Sequence, residues 1–330
     1  MLVFNCHEAW VYQLGWLGYP LDIIIGLKGR HTAGWDHRIR PVPPGARLLS
    51  LPQALASKSR YYCIIAHNIT DLLDVKHRPE PRLLVLHSTI EGRIAEEKAR
   101  TDAGQLRAML HRYLQLTGCH AIATSGLKLN SWGLAGDDDV VPFGVDPDDY
   151  LPYTGEKPCG LRICNFVASR RRILLWDLHE KAFADVPIRL VGHNPGIPGA
   201  AASRNWDHLK VLLQSHRFYV HTADPACEDG YNMATVEAMA AAMPVLTNTN
   251  PSCPIEHGVS GFVSDDPAEL GRYARMLLND RDLAASMGEK ARQSALQRFS
   301  VDRFRQRFLR AIEKARQKWK TQSTTDTDAP

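Results

Sequence analysis

Short apolar runs alternate with amphipathic stretches through the first half of the chain. MLVF, LDIIIGL, YYCIIAHN, RLLVLHST and HAIATS are brief and are bounded by Gly, His, Asn, Ser or Thr. Strands buried on both faces read as continuous apolar runs, so these segments predict a parallel sheet. Between them lie helical periods, most clearly IEGRIAEEKARTDAGQLRAMLHRYLQLTG. The segment from Asp137 to Gly160, DDDVVPFGVDPDDYLPYTGEKPCG, is rich in Pro, Gly and Asp and reads as a linker.

Beyond it the alternation restarts. LRICNFVA, PIRLVGHN, RFYVHTA and MPVLTN predict strands, with helices over Trp176 to Phe183, over Asn205 to Ser215 and over MATVEAMAAA. From Asp266 the chain is almost continuously helical in period, with breaks expected near Asp280, Gly288 and Ser300. The pattern predicts an α/β protein of two Rossmann-like domains, residues 1–150 and 151–320, and a polar tail over 321–330 expected to be disordered.

Composition changes this picture little. A chain of 330 residues exceeds what one core usually serves, in keeping with two domains. A formal charge of +4 is too small to argue for nucleic acid, though it suits anionic phosphates. The seven cysteines include no C-x-x-C pair, which suggests neither a zinc site nor a disulfide framework. With no signal peptide or spanning segment in the pattern, a reducing cytoplasmic location is expected. In the last helix Phe304, Phe308, Ile312, Ala315 and Trp319 fall on one stripe among Arg and Lys. That stripe predicts packing across the domains, with attachment to the inner face of an anionic membrane as the second reading.

The candidate chemistry centres on EDGYNMATVEAMAAAMPVLTN, Glu228 to Asn248. Asp229-Gly230-Tyr231-Asn232 forms a turn after a strand, and a helix follows with Asn232 or Thr235 as its N-cap. Gly230 lets backbone come close to a ligand, and the first helical N–H groups can hold an anion such as a diphosphate. Asp229 and Glu237, one turn into the helix, can accept hydrogen bonds from sugar hydroxyls. Taken by position alone, the same residues make an ordinary capped helix with two solvated acids.

The stretch resembles the E-G-[FY]-G-x-x-x-x-E-A-M-A-x-G-x-P-V motif of retaining GT-B glycosyltransferases, the large group 1, family 4 type. EHGVSGFV and VVPFGVDPDDY resemble that family's next loop and its interdomain segment. The resemblance covers about residues 119 to 310 and implies two Rossmann-like domains facing a cleft, with C-terminal helices packing back across them. It further implies that Glu237 binds the ribose of a UDP- or GDP-linked sugar. Asp229 and the N–H groups of Tyr231, Asn232 and Met233 would hold the transferred sugar. Asp229 stands where the family has Glu, and Asn232 where it has a second Gly.

The family also places a basic pair after the first strand of its second domain, to stabilise the departing diphosphate. LRICNFVASRRRILLW offers Arg170, Arg171 and Arg172, with Arg170 and Arg171 preferred, and the family's first Arg is missing near Asn165 or Phe166. His87, ending a strand in RLLVLHST, resembles the family's histidine near the transferred sugar. His67 ends the preceding strand in the same way, and His7 and Glu8 can line the acceptor side. A lone strand-end histidine is often no more than a polar cap.

The resemblance thus implies transfer from a nucleotide sugar to a glycan or lipid-linked acceptor, with no cofactor and no metal. Asp137-Asp138-Asp139 precedes VVPFGV rather than following a strand, so it reads as a solvated turn rather than a metal-binding D-x-D. No G-x-G-x-x-G, P-loop or nucleophile elbow is present. The rival is a non-catalytic subunit of the same shape that binds a nucleotide sugar without turnover.

Overall fold

A computed structural model describes residues 1–27, 34–97, 102–150 and 152–327, without the side chains of 97 and 323–327. Two compact units divide the chain: Met1–Ile90, Arg100–Phe143 and Asp302–Pro330 form the first, Glu91–Ala99 and Gly144–Val301 the second. The division at Phe143 falls inside the predicted linker, close to the expected residue 150. It differs from the expected domains in giving the last helix to the first unit.

The strands of the first unit are β1 (Leu2–Phe4), β2 (Asp22–Ile25), β3 (Arg47–Ser50), β4 (Ile64–Ala66), β5 (Arg82–Leu86) and β6 (His120–Ala123). They form one parallel sheet in the order β3-β2-β1-β4-β5-β6. The helices that follow these strands in sequence are α1 (Glu8–Tyr12), α2 (Leu51–Ala56), α3 (Ile69–Asp74), α4 (Ile90–Glu97), α5 (Ala103–Thr117) and α6 (Gly126–Ser131), of which α4 belongs from Glu91 onward to the second unit. The central strands are buried throughout, which is why their sequences show no alternation. Edge strand β3 is half-exposed, and its sequence, RLLS, carries too few apolar positions to be picked out as a strand.

The second unit has β7 (Lys157–Ile163), α7 (Trp176–Ala182), β8 (Ile188–Val191), α8 (Trp206–Ser215), β9 (His216–His221), α9 (Met233–Ala240), β10 (Val245–Thr247), β11 (Gly261–Val263), α10 (Pro267–Asn279) and α11 (Arg281–Arg298). Its sheet is also parallel, in the order β11-β10-β9-β7-β8. Phe218, Val220, Leu246, Leu270 and Leu277 make the core between this sheet and α10. No break occurs at Gly288, which lies within α11. A Cβ there would meet the Ala242 carbonyl oxygen at 1.9 Å, so this glycine allows α11 to press on the end of α9.

The last helix, α12 (Val301–Thr327), runs into the segment expected to be disordered; residues 328–330 lie outside the described ones. Its stripe is occupied within the first unit: Phe304, Phe308, Ile312 and Ala315 are buried, and Phe308 and Phe304 meet Trp10 and Trp16. Lys314 pairs with Asp139 at 2.7 Å and Arg307 donates to the Val140 carbonyl at 2.7 Å. Four of the five stripe residues are thus taken up by packing within the first unit, and Trp319 is half-buried. Among the described residues no helix is long and apolar enough to cross a membrane.

Candidate functional site

Asn232 is the N-cap of α9, accepting from the Thr235 N–H at 2.8 Å while the Thr235 hydroxyl accepts from the Asn232 N–H at 3.3 Å. This capping box settles the open choice between the two residues. It engages two of the four N–H groups that a helix start leaves without helical partners, and those of Met233 and Ala234 are not part of it. Glu237, one turn on, is buried at 6% exposure, and Asp229 is fully buried. Neither is the solvated acid of an ordinary surface helix.

The turn before α9 is strapped to the segment after β10. Gly230 N–H donates to the Ser252 hydroxyl at 2.8 Å, and Asn250 Nδ2 donates to the Glu228 carbonyl at 3.0 Å. Asn248 brackets Ala223, accepting from its N–H at 2.9 Å and donating to its carbonyl at 3.0 Å. A Cβ on Gly230 would lie 2.8 Å from Asn250 Cβ and 2.9 Å from Cys253 Cα. The turn therefore requires glycine at 230 for its close approach to this strap. Tyr231 turns inward onto Phe299, with ring centroids 5.3 Å apart, so its backbone alone belongs to the turn surface.

His221, at the end of β9, donates from Nε2 to the Asp229 carbonyl at 3.2 Å. Burial drives its pKa down to about 4, so the ring is neutral at pH 7 and holds the turn by a hydrogen bond. Sequence reasoning missed His221, Asn248, Asn250 and Ser252. The only signal for the last three was a run of hydrogen-bonding side chains, N-T-N-P-S, directly after a strand, and for His221 its place at the end of RFYVH.

The three arginines after β7 part company. Arg170 reaches toward the turn, with Nη2 at 3.8 Å from Glu228 Oε2 and Nε at 3.0 Å from Glu96 on α4. Glu228, out of register with the family acid, thus faces the arginine, and its Oε1 accepts from the Asp229 N–H at 3.0 Å. Arg172 lies 3.6 Å from Asp224, at the start of the same loop. Arg171 points elsewhere: it pairs with Asp177 at 2.6 Å and with Glu180, both on α7. The motif resemblance favoured Arg170 with Arg171, but the structure turns only Arg170 toward Glu228 and the turn before α9. Phe166, near the missing family arginine, adopts a left-handed backbone with φ 54° and stacks edgewise on His193.

In the first unit, His87 and His67 follow β5 and β4 directly. His67 Nδ1 and His87 Nε2 are 2.9 Å apart, and Cys6 Sγ lies 3.8 Å from the same His87 nitrogen. Burial, with His67, Lys128 and His7 nearby, holds the His87 pKa well below its usual value. Glu8 is buried and receives the Asn5 amide at 3.1 Å and the Asp36 N–H at 3.2 Å, an anchoring role within the unit.

Residues 201–294 match the family described as glycosyl transferases group 1, a span that includes the turn, α9 and the strap. The chain has the two-sheet GT-B fold. HepE of Anabaena, solved with UDP-glucose, superposes with a TM-score of 0.69 at 13% identity over 94% of this chain and 98% of HepE. Sucrose-phosphate synthase of Thermosynechococcus elongatus gives 0.66 at 14% identity, over 95% and 98% of the two chains. TarM of S. aureus gives 0.59 at 14% identity over 76% of this chain, which spans 54% of TarM. No curated protein is significantly similar to the chain in sequence.

Proposed function

We propose that the protein is a retaining glycosyltransferase that moves a sugar from a nucleotide donor to a glycan or glycolipid acceptor, with no metal at the diphosphate. The observation that carries this reading is the grouping around α9. Two buried carboxylates, Asp229 and Glu237, bracket a capped helix start, and Arg170 faces the same turn. Helix N-termini and guanidinium groups attract phosphate, whereas carboxylates accept from hydroxyls, so the set fits a ligand that carries both.

In this reading Glu237 takes the ribose hydroxyls, and Asp229 with the N–H groups of Tyr231 and Met233 takes the transferred sugar; the Asn232 N–H, expected to join them, is held by Thr235 in the capping box. Arg170, with the start of α9, stabilises the negative charge that builds on the diphosphate as the glycosidic bond breaks. His87 keeps its assignment to the sugar on the motif resemblance alone. The UDP-glucose bound by HepE makes UDP-sugars the first donors to test. One observation favours the non-catalytic alternative: with Arg171 engaged on α7, Arg170 is left without the second arginine of the expected pair.

A thermal-shift screen without metal against UDP, GDP, ADP and their sugar conjugates tests donor binding. A ligand at about 100 times its Kd adds about 2.7 kcal/mol of stability, a visible rise in Tm. A shift with one nucleotide family, followed by transfer or donor hydrolysis, supports the enzyme. A shift without turnover selects the binding subunit, and no shift with any nucleotide removes the donor reading.

A further inference from the structure

Cys6, His67 and His87 stand just past the ends of β1, β4 and β5, which are neighbours in the sheet. One ligand atom from each lies within 4.8 Å of the other two. We infer that this thiol and these two imidazoles form a metal site of zinc type, with two nitrogen ligands and one sulfur ligand.

The donor set and the distances carry the inference. Zinc takes thiolate and imidazole ligands, and three protein ligands leave a fourth position for water or a bound molecule. Bond lengths of about 2.0–2.1 Å to nitrogen and about 2.3 Å to sulfur, at tetrahedral angles, put ligand nitrogens roughly 3.3 Å apart and sulfur and nitrogen roughly 3.6 Å apart. The observed separations are 2.9 Å for His67 Nδ1 to His87 Nε2 and 3.8 Å for Cys6 Sγ to His87 Nε2. At His87 the imidazoles need open, and the thiol close, by a few tenths of an ångström; Cys6 and His67, within 4.8 Å of each other, draw together around the ion by up to about 1 Å.

The surroundings hold the ligands in place. Trp10 of α1, buried, sets its ring edgewise to both histidines at 4.8 and 4.9 Å. The His67 N–H donates to the buried Asp71 carboxylate at 2.8 Å, and Asn68 caps α3 immediately after it. Fixed strand ends and a locked backbone are what a metal site needs before the ion arrives.

All three ligands belong to the first unit, so the site does not rest on the donor reading of the second. With an ion bound, His87 would act on a ligand only through the ion's open position.

The test uses the full chain, with any affinity tag removed and no nucleotide present. Zinc is titrated against a chromophoric chelator and metal content is measured after dialysis. One zinc per chain is expected, with affinity falling by more than about 100-fold in Cys6→Ser and His67→Gln, beyond what loss of a supporting residue costs. Far-ultraviolet circular dichroism checks that each variant is folded. Cobalt reports on the wild-type protein directly: a thiolate-to-cobalt charge-transfer band is expected, retained in Cys253→Ser and lost in Cys6→Ser. No stoichiometric zinc, no thiolate band in the wild type, or zinc affinity unchanged in folded Cys6→Ser would overturn the site.

Discussion

At the carboxyl ends of the first unit's central strands stand a thiol and two imidazoles; at the corresponding ends in the second unit stand carboxylates and arginines. Both sets sit on parallel sheets, where loops at the strand ends are the usual place for ligands. The difference lies in how each set is assembled. In the first unit three separate loops give one side chain each, and Cys6 and His87 are 81 residues apart in sequence. In the second, one loop and the helix it opens supply most of the groups, and the next loop straps them down. The first set suits a soft cation or a neutral ligand, and the second a ligand bearing hydroxyls and phosphate.

Glu237→Gln is the largest test of that contrast. The substitution keeps the buried volume but loses the charged acceptor, and charge-assisted hydrogen bonds contribute about 1.5–3 kcal/mol each. With two ribose hydroxyls at stake, nucleotide affinity should fall by at least about 100-fold in isothermal titration. The zinc stoichiometry of the first unit should stay the same. Equal nucleotide affinity in the two proteins would take Glu237 out of the site.

The arginines provide the next test. Arg170→Ala should lower kcat by roughly 100-fold, the usual loss when one group stabilising developing charge is removed. Arg171→Ala should change kcat less than about 2-fold, because exposed pairs such as those it makes with α7 contribute little. Equal losses in the two variants would mean that Arg171 leaves α7 when donor binds, and the grouping around Arg170 would no longer distinguish them.

These two regions also show what could be read from the chain alone. The sheets were legible because buried parallel strands leave uninterrupted apolar runs, as in RLLVL and RFYV. The half-exposed edge strand β3 leaves no such run. The turn at Asp229 was legible because one contiguous motif carries it. The direction of Arg171 was not, since it depends on Asp177 and Glu180, acids that also read as an ordinary exposed helix face. Cys6 with His67 and His87 was invisible as a cluster, because only strand order brings those segments together. Gly288 misled as a helix break, since its role is contact with the Ala242 carbonyl across two elements.

Acid should weaken the second unit through buried histidines. Burial holds the pKa values of His216 and His221 down to about 4, against about 6.5 when unfolded. The unfolded chain therefore binds more protons between those values. The contribution of these two histidines is complete above about pH 6.5, falls as pH drops toward 4, and levels below it, while His179, held down to about 2 by burial, goes on losing stability at lower pH. A loss of roughly 3 kcal/mol per histidine is expected in urea unfolding. His221→Gln, which keeps a donor for the Asp229 carbonyl, should remove one histidine's share of that slope; an unchanged slope would place the titration elsewhere.

The smallest effect bears on how closely α9 follows its motif. Ala242 stands where E-A-M-A-x-G-x-P-V has glycine, and its φ of 59° lies in the left-handed region. A residue with a Cβ is strained there by about 1 kcal/mol or more, while glycine gives back part of that gain through the entropy of the unfolded chain. Ala242→Gly should therefore stabilise the protein by about 0.5–1 kcal/mol, read as a rise in urea midpoint at constant slope. Because Gly288 packs on the Ala242 carbonyl and not on its side chain, the α9–α11 contact should survive the change. A destabilised Ala242→Gly protein would show that the methyl group is packed strongly enough to outweigh the strain. The motif's glycine would then be absent here because this chain fills the space it leaves.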